Sequence, residues 1–471
     1  MKPFWLRECL NAQLLVDDNF DIVRRDLIVQ ETGFSFYFID GFIKDEVMEK
    51  MMEFFLKNTF DFKIKDMRVL ANHLVPYVEV EVFEKVEEMT TAVLSGSALL
   101  IIEGYDQGIV IDLRTYPTRG MSEPEDDKVL RGARDGFVET LVFNTALIRR
   151  RIRERTLRME YHMVSKASKS DVVLCYMSDR VNRRALSIIQ ERIRQMHVES
   201  LTMSQESLAE ALVNSRWYNP FPKVRYTERP DTAASNILEG KIVLLIDNSP
   251  SVLILPTHLF DFVQEAQDYY LPPITGTYLR IVRICVFFIM LFITPLWYYM
   301  NCNPDLVPSW LAFILIEDTM NVPILLQFMI LEFGIDALKL ASLNTPSSLN
   351  SSFSIIGALI LGEFAVNAGW FAPEVILYMA FVALANFTSP SYELGYAIKF
   401  MRVLLLICVG IFPRYGFWLG IALVGVIIYR NKTITKGSYL YPLIPFHWAD
   451  FKMIFLRRKL SGEETHKVVG K

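Results

Sequence analysis

IVRICVFFIMLFITPLWYYM, residues 281–300, is apolar enough and long enough to cross a bilayer as one helix, which takes about 20 such residues. Arg280 and Arg283 stand at its start and Trp297, Tyr298 and Tyr299 at its end. Basic residues on one side and aromatics on the other predict a span that begins in the cytosol. The next segment, NCNPDLVPS (301–309), has no Lys or Arg, as expected of an outside loop. Further apolar runs follow. WLAFILIEDTMNVPILLQFMILEF (310–333) is interrupted by Glu317, Asp318, Asn321 and Pro323, a polar break at membrane depth. Irregular backbone there needs a protein-lined or wet surrounding. FSIIGALILGEFAVNAGWF (353–371) and EVILYMAFVALANFTS (374–389) come next. After Lys399 and Arg402, VLLLICVGIF (403–412) and GFWLGIALVGVIIY (416–429) are each short for a span and are expected as a hairpin of short or tilted helices. The basic tail is expected in the cytosol, which demands an even number of crossings: about six, or four plus a re-entrant hairpin.

The 471 residues are 52% hydrophobic and 22% charged, with a mean hydropathy of +0.26. Nearly all the charge lies before Pro272 and nearly all the long apolar runs lie after it. Net charge is −4, which argues against nucleic acid as a partner because phosphate binding needs basic excess. The five cysteines have no ligand spacing and the six histidines are scattered. No catalytic, metal-binding or cofactor motif is present, so an enzyme is not expected. The N-terminus lacks the pattern of a cleaved signal peptide, and the first half is expected to stay in the cytosol.

That first half reads as one α/β pattern met twice. FSFYFI (34–39), EVMEKMMEFFLK (46–57) and SALLIIEGYDQGIVIDL (97–113) give strand, helix and hairpin. DVVLCYMSD (171–179), VNRRALSIIQERIRQM (181–196) and KIVLLIDNSPSVLIL (241–255) repeat that order, as a duplication does. The expected fold is therefore an α/β region of two similar lobes followed by an all-α polytopic membrane domain with about four to six helices. Its expected divisions are an N-terminal extension over 1–29, lobe 1 over 30–125 and a basic connecting helix over 126–164. Lobe 2 over 165–272, the membrane domain over 273–436 and a cytosolic tail over 437–471 complete the chain.

Three places attract attention as sites. Arg131 and Arg134 precede a helix that ends in Arg149, Arg150 and Arg151. It is either a solvated basic helix or a contact with another subunit or the membrane surface. Glu228, Arg229 and Asp231 in ERPDTAA form either a capped turn or an ion or nucleotide contact. Glu363 and Asn367 share a helical stripe with Ile356 and Ile360, opposite a face of small residues. An acid at that depth must face protein or water, so the stripe either lines a pore or joins helices within one subunit.

The stretches RGARDGFVETLVFNTALIRRRI (131–152), TERPDTAASNILEGKIVLLIDNSPSVLILP (227–256), EAQDYY (265–270) and IIGALILGEFAVNAGWFAPEVI (355–376) resemble the A subunits of GerA-type spore germination receptors. FAPEVILY (371–378), TSPSYELG (388–395) and YPLIPF (441–446) resemble a branch apart from the nutrient-receptor subunits; Ala133 stands where the family usually has proline. The resemblance implies a multi-pass protein of the spore inner membrane, with its lobes and tail on the core side. It implies a homo-oligomeric ring, a pentamer, in membrane lipid, working with other inner-membrane germination proteins and conducting monovalent cations. Two other functions stay open, a secondary transporter subunit and a non-conducting scaffold for germination proteins.

Overall fold

The computed structural model describes residues 5–457 apart from 20–21, 41, 59–65, 115–122, 125–127, 130, 214–216, 317–320 and 345–364. The chain divides into two units, Met1–Arg119 and Gly120–Lys471.

Two continuous apolar strands, ALLII and IVLLI, lie near the middle of two sheets because helices cover both of their faces. The first unit runs α1 (Trp5–Leu14), β1 (Ile22–Val29), β2 (Thr32–Ile39), α2 (Asp45–Lys57), α3 (Met67–Leu74), β3 (Val80–Phe83), α4 (Val86–Leu94), β4 (Ala98–Ile102) and β5 (Gly108–Ile111). The second sheet is built from α5 (Leu141–Arg151), β6 (Leu157–Val164), β7 (Ser170–Met177), α6 (Arg183–Arg194), α7 (Ser204–Leu212), β8 (Arg225–Thr227), α8 (Pro230–Leu238), β9 (Ile242–Ile246) and β10 (Val252–Leu255). The two successions agree element for element. So do the strand orders, β1-β2-β4-β5-β3 and β6-β7-β9-β10-β8, antiparallel throughout.

Side chains alternate across each strand, so each sheet supplies two cores. In the first, Phe34, Phe36, Leu100 and Ile102 meet α2 and α3 on one face. Tyr37, Leu99 and Ile101 meet α1 and α4 on the other. In the second, Val172, Leu174, Leu244 and Ile246 meet α6 and α7, and Val173, Cys175, Val243 and Leu245 meet α5 and α8.

Two expected divisions are corrected by this arrangement. Residues 1–29 are not an extension, since Leu6, Leu10, Leu14 and Ile22 join the core of the first lobe. Residues 126–164 are not a connector, since α5 covers the second sheet and β6 is its edge strand. Both strands escaped notice for one reason. IVRRDLIV and LRMEYHMV sit at sheet edges, where charged and exposed positions break the apolar pattern and guard the edge against pairing with other chains.

After the single turn α9 (Gln267–Tyr270), the helical half begins with α10 (Pro273–Cys302). A short 3-10 stretch at Ser309–Ile314 and then α11 (Ile324–Asn344) replace the expected second run over 310–333. Pro308 opens the 3-10 stretch, whose irregular end is held by Trp297 Nε1 donating to the Ile314 carbonyl at 2.8 Å. The turn α12 (Ala365–Asn367), α13 (Pro373–Phe387), α14 (Tyr392–Ile411), α15 (Gly416–Arg430) and α16 (Trp448–Phe455) follow. Among the described residues, α10 and α14 are long and apolar enough to cross a membrane, while α13 and α15 are shorter apolar helices. The expectation of a short helix over 403–412 is overturned. The helix starts at Tyr392, capped by Ser391, and takes Lys399 and Arg402 inside it.

Phe55, fully buried, packs its ring against Phe34 and Phe36 at 5.7 and 5.9 Å. Residues 1–119 expressed alone should fold as one unit, and Phe55→Ala should lower its unfolding free energy by about 3–5 kcal/mol. Urea denaturation followed by circular dichroism measures this; a loss below about 1 kcal/mol would mean that the α2 core does not hold the lobe.

Candidate functional site: charges buried around the helical half

Three groups of buried charge stand out within residues 120–471. The first joins two of the stretches singled out in the sequence. Arg229 is only 1% exposed and precedes α8, whose first residue is Pro230. Its Nε donates to Asp231 Oδ1 at 3.0 Å and its Nη2 to Asp231 Oδ2 at 2.5 Å. Nη2 also reaches the Ala133 carbonyl at 3.0 Å, and the Phe137 amide donates to the Glu228 carbonyl at 2.8 Å. The loop 131–137 is thus fastened to the start of α8. Tyr270 closes the group: its hydroxyl donates to Asp231, and its ring lies 5.9 Å from the Arg229 guanidinium. Gly132 has φ +135°, and a Cβ there would stand 2.6 Å from the Tyr270 ring. Only glycine suits that position.

Burial alone would raise the Asp231 pKa, but hydrogen bonds from Arg229, Tyr270 and the Thr232 amide hold it below the usual carboxylate range. Arg151 makes a separate pair with Asp135 at 2.6 Å. Arg131, Arg134, Arg149 and Arg150 are exposed and, among the described residues, enter no ion pair. The segment ERPDTAA therefore has the geometry of a held turn, and the arginines around it divide into fasteners and free cations.

The second group sits where the second lobe meets α10. Asp268, fully buried, accepts from Arg280 Nε at 3.1 Å and from Arg283 Nη1 at 2.9 Å. Arg283 also pairs with Glu265 at 3.0 Å. Arg280 Nη1 donates to the Met453 carbonyl at 2.9 Å, and Arg457 Nη2 to the Tyr269 carbonyl at 2.6 Å. The arginines expected only as charged flanks of the first span thus tie lobe, helix and C-terminal segment together. Tyr439 adds a second tie, its buried hydroxyl donating to the Pro222 carbonyl at 2.7 Å.

The third group lies deep among the helices. Arg402 on α14 is 3% exposed and Glu332 on α11 is 5% exposed. Arg402 Nε and Nη2 each lie 2.6 Å from Glu332 Oε1, and Nη1 donates to the Met290 carbonyl on α10 at 2.8 Å. Lys399 Nζ lies 3.4 Å from Glu332 Oε2, donates to the Glu332 carbonyl at 2.9 Å and pairs with Asp336. One cluster therefore fastens three helices. Sequence reading missed it by taking Lys399 and Arg402 as flanking charges. The signal was present: Glu332 and Asp336 are four apart and Lys399 and Arg402 three apart, so each pair shares a helix face.

Of the residues expected to line a pore, Ile356, Ile360 and Glu363 lie outside the described residues. Asn367, in α12, is exposed. Glu317 and Asp318 also lie outside them. Asn321 is exposed, its Nδ2 3.4 Å from where a Cβ on Gly369 would stand, so the 321 turn and the 367–370 turn are neighbours.

Removing one partner of a buried pair strands the other charge, which costs about 3–5 kcal/mol. Glu332→Ala and Arg402→Ala should each lower the melting temperature of the full chain in detergent, and the double variant should lose less than the sum. Additive losses would show that the two charges are not coupled. Asp231, whose folded pKa is depressed, contributes stability above its ordinary pKa that is lost as pH falls through the folded value. Tyr270→Phe removes one donor that depresses it, so the acid transition should move to higher pH in thermal melts. An unmoved transition would remove Tyr270 from the network.

Residues 10–468 match the family described as Bacillus/Clostridium GerA spore germination protein. Stage V sporulation protein AF of Bacillus subtilis (strain 168) is 37% identical over 448 residues, 95% of this chain and 90% of that protein. Spore germination protein KA of the same organism is 25% identical over 95% of this chain and 83% of its own length. A crystal structure of the N-terminal domain of the A subunit of the Bacillus megaterium spore germinant receptor GerK3 covers 53% of this chain and 92% of that domain. It shares 21% identity, and the TM-score of 0.21 is too low to bear on the fold. By the match over nearly its whole length, this chain belongs to the GerA family of spore germination proteins.

Proposed function

We propose that this chain is a multi-pass subunit of a germination complex in the spore inner membrane, and that it forms a homo-oligomeric ring, a pentamer, that conducts monovalent cations. The observation that carries the membrane reading is the inverted polarity of the helical half. Phe381, Leu384, Phe400, Ile407, Leu423 and Val426 are exposed, whereas Glu332 and Arg402 are buried. Water favours the reverse; a bilayer favours this. Family membership supplies the germination context. In this reading the two lobes and the tail face the spore core, and other inner-membrane germination proteins are the partners. Residues 353–371 of each subunit line the ion pathway, with Ile356 and Ile360 as an apolar constriction and Glu363 and Asn367 as its polar mouth. Acidic rings favour cations and apolar constrictions close by dewetting.

One observation favours a second reading. Leu315 and Ile316 leave the 3-10 stretch as non-helical backbone, held by Trp297 and by Asn301 Oδ1 accepting from the Ile316 amide at 3.0 Å, and residues 321–323 are again non-helical before α11. Non-helical backbone beside apolar helices is a feature that holds substrate in transporters.

Planar-bilayer recording of the purified chain separates the two, since a channel gives unitary currents and a transporter a slow saturable flux. In the channel reading Ile360→Ala should leak, and Glu363→Gln should lower cation current severalfold with oligomer state unchanged. Wild-type current from Glu363→Gln would remove the acid from the pathway.

A further inference from the structure

Five cations around the start of the second lobe have no role in the folding networks above. Arg131, Arg134, Arg149, Arg150 and Arg153 are exposed, and among the described residues none of them enters an ion pair. Arg134, Arg150 and Arg153 converge on an open hollow whose remaining wall is Ala133, Asp135 and Arg151. Its acid, Asp135, is already neutralised by Arg151 at 2.6 Å. Among the described residues, Asp135 is the one carboxylate that lines the hollow, so its four arginines leave a net positive charge facing solvent.

Its position identifies what it meets. Gly132, immediately before the hollow, packs on the ring of Tyr270, and α10 begins at Pro273. The hollow is thus at the foot of the first membrane helix, where headgroups lie if α10 spans. The exposed face of α5 continues the theme, with Val142 and Phe143 exposed about two turns before Arg149 and Arg150. Apolar side chains beside arginines suit the headgroup boundary. We propose that this hollow binds the phosphate of an anionic phospholipid headgroup and docks the second lobe on the membrane surface.

The inference rests on α10 being a membrane span, which flotation of the full chain with phosphatidylcholine liposomes tests separately. Binding is read by native mass spectrometry of the full chain in detergent, titrated with phosphatidylglycerol or phosphatidylcholine. The wild type should hold phosphatidylglycerol in preference. Arg150→Glu with Arg153→Glu should weaken that binding at least about tenfold, as charge near a lipid surface predicts, and leave phosphatidylcholine binding unchanged. The milder Arg150→Gln with Arg153→Gln should fall between if the reversal disturbs folding. Equal phosphatidylglycerol binding in wild type and variants overturns the proposal. Displacement by millimolar inorganic phosphate also overturns it, assigning the hollow to a free anion. So does loss of poly-glutamate binding with lipid binding intact, which assigns it to an acidic protein segment.

Discussion

Arg402 and Glu332 neutralise each other among apolar helices, and the arrangement of the helical half follows from that pairing. Each charge alone would be costly at such burial, and together they remain so unless every other polar atom finds a partner. The structure meets that condition with groups from three helices: the Met290 carbonyl on α10, the Glu332 carboxylate on α11 and the Lys399 ammonium beside Arg402 on α14. Helices whose outer faces are apolar gain little by burying those faces against one another in lipid, where van der Waals packing and polar contacts decide the association. The ion cluster fixes α10, α11 and α14 against one another.

The same logic operates at the join between lobe and helices. Asp268 is buried in a single turn between the second sheet and α10, and Arg280 and Arg283 surround it from the helix side. Arg280 also holds the Met453 carbonyl, so the segment that follows the last long helix returns to the base of the first. A displacement of the second lobe must either carry α10 with it or break a buried ion pair. That is a stiff mechanical link for a protein whose family acts in germination. Tyr270, two residues after Asp268, extends the link to Asp231 and Arg229 and so to the 131–137 loop.

The two sheets are variations on one pattern. In each, an exposed edge hairpin strand carries charge while the central strand, β4 or β9, is wholly apolar. The helices that cover the inner strands differ in sequence but occupy the same places in the order. The two lobes therefore share a burial pattern although their side chains differ, and in the second an arginine network joins the sheet region to α10.

Much of this was legible in the residues. Continuous apolar runs gave the inner strands, helical spacing gave α2 and α6, and the segregation of charge gave the apolar second half, because these are local statements about which side chains must leave water. The first strand of each lobe was not legible, since an edge strand buries too little to impose a pattern, and the helix ending at Arg151 was legible as a helix but not as a cover of the second sheet. The capped turn at Arg229–Asp231 could be named from its residues, but its partners Ala133 and Tyr270 are far along the chain. Glu332 with Arg402 and Asp268 with Arg280 were decided by tertiary structure alone. A charge in an apolar run states only that a partner must exist; which partner depends on how helices distant in sequence come together in space.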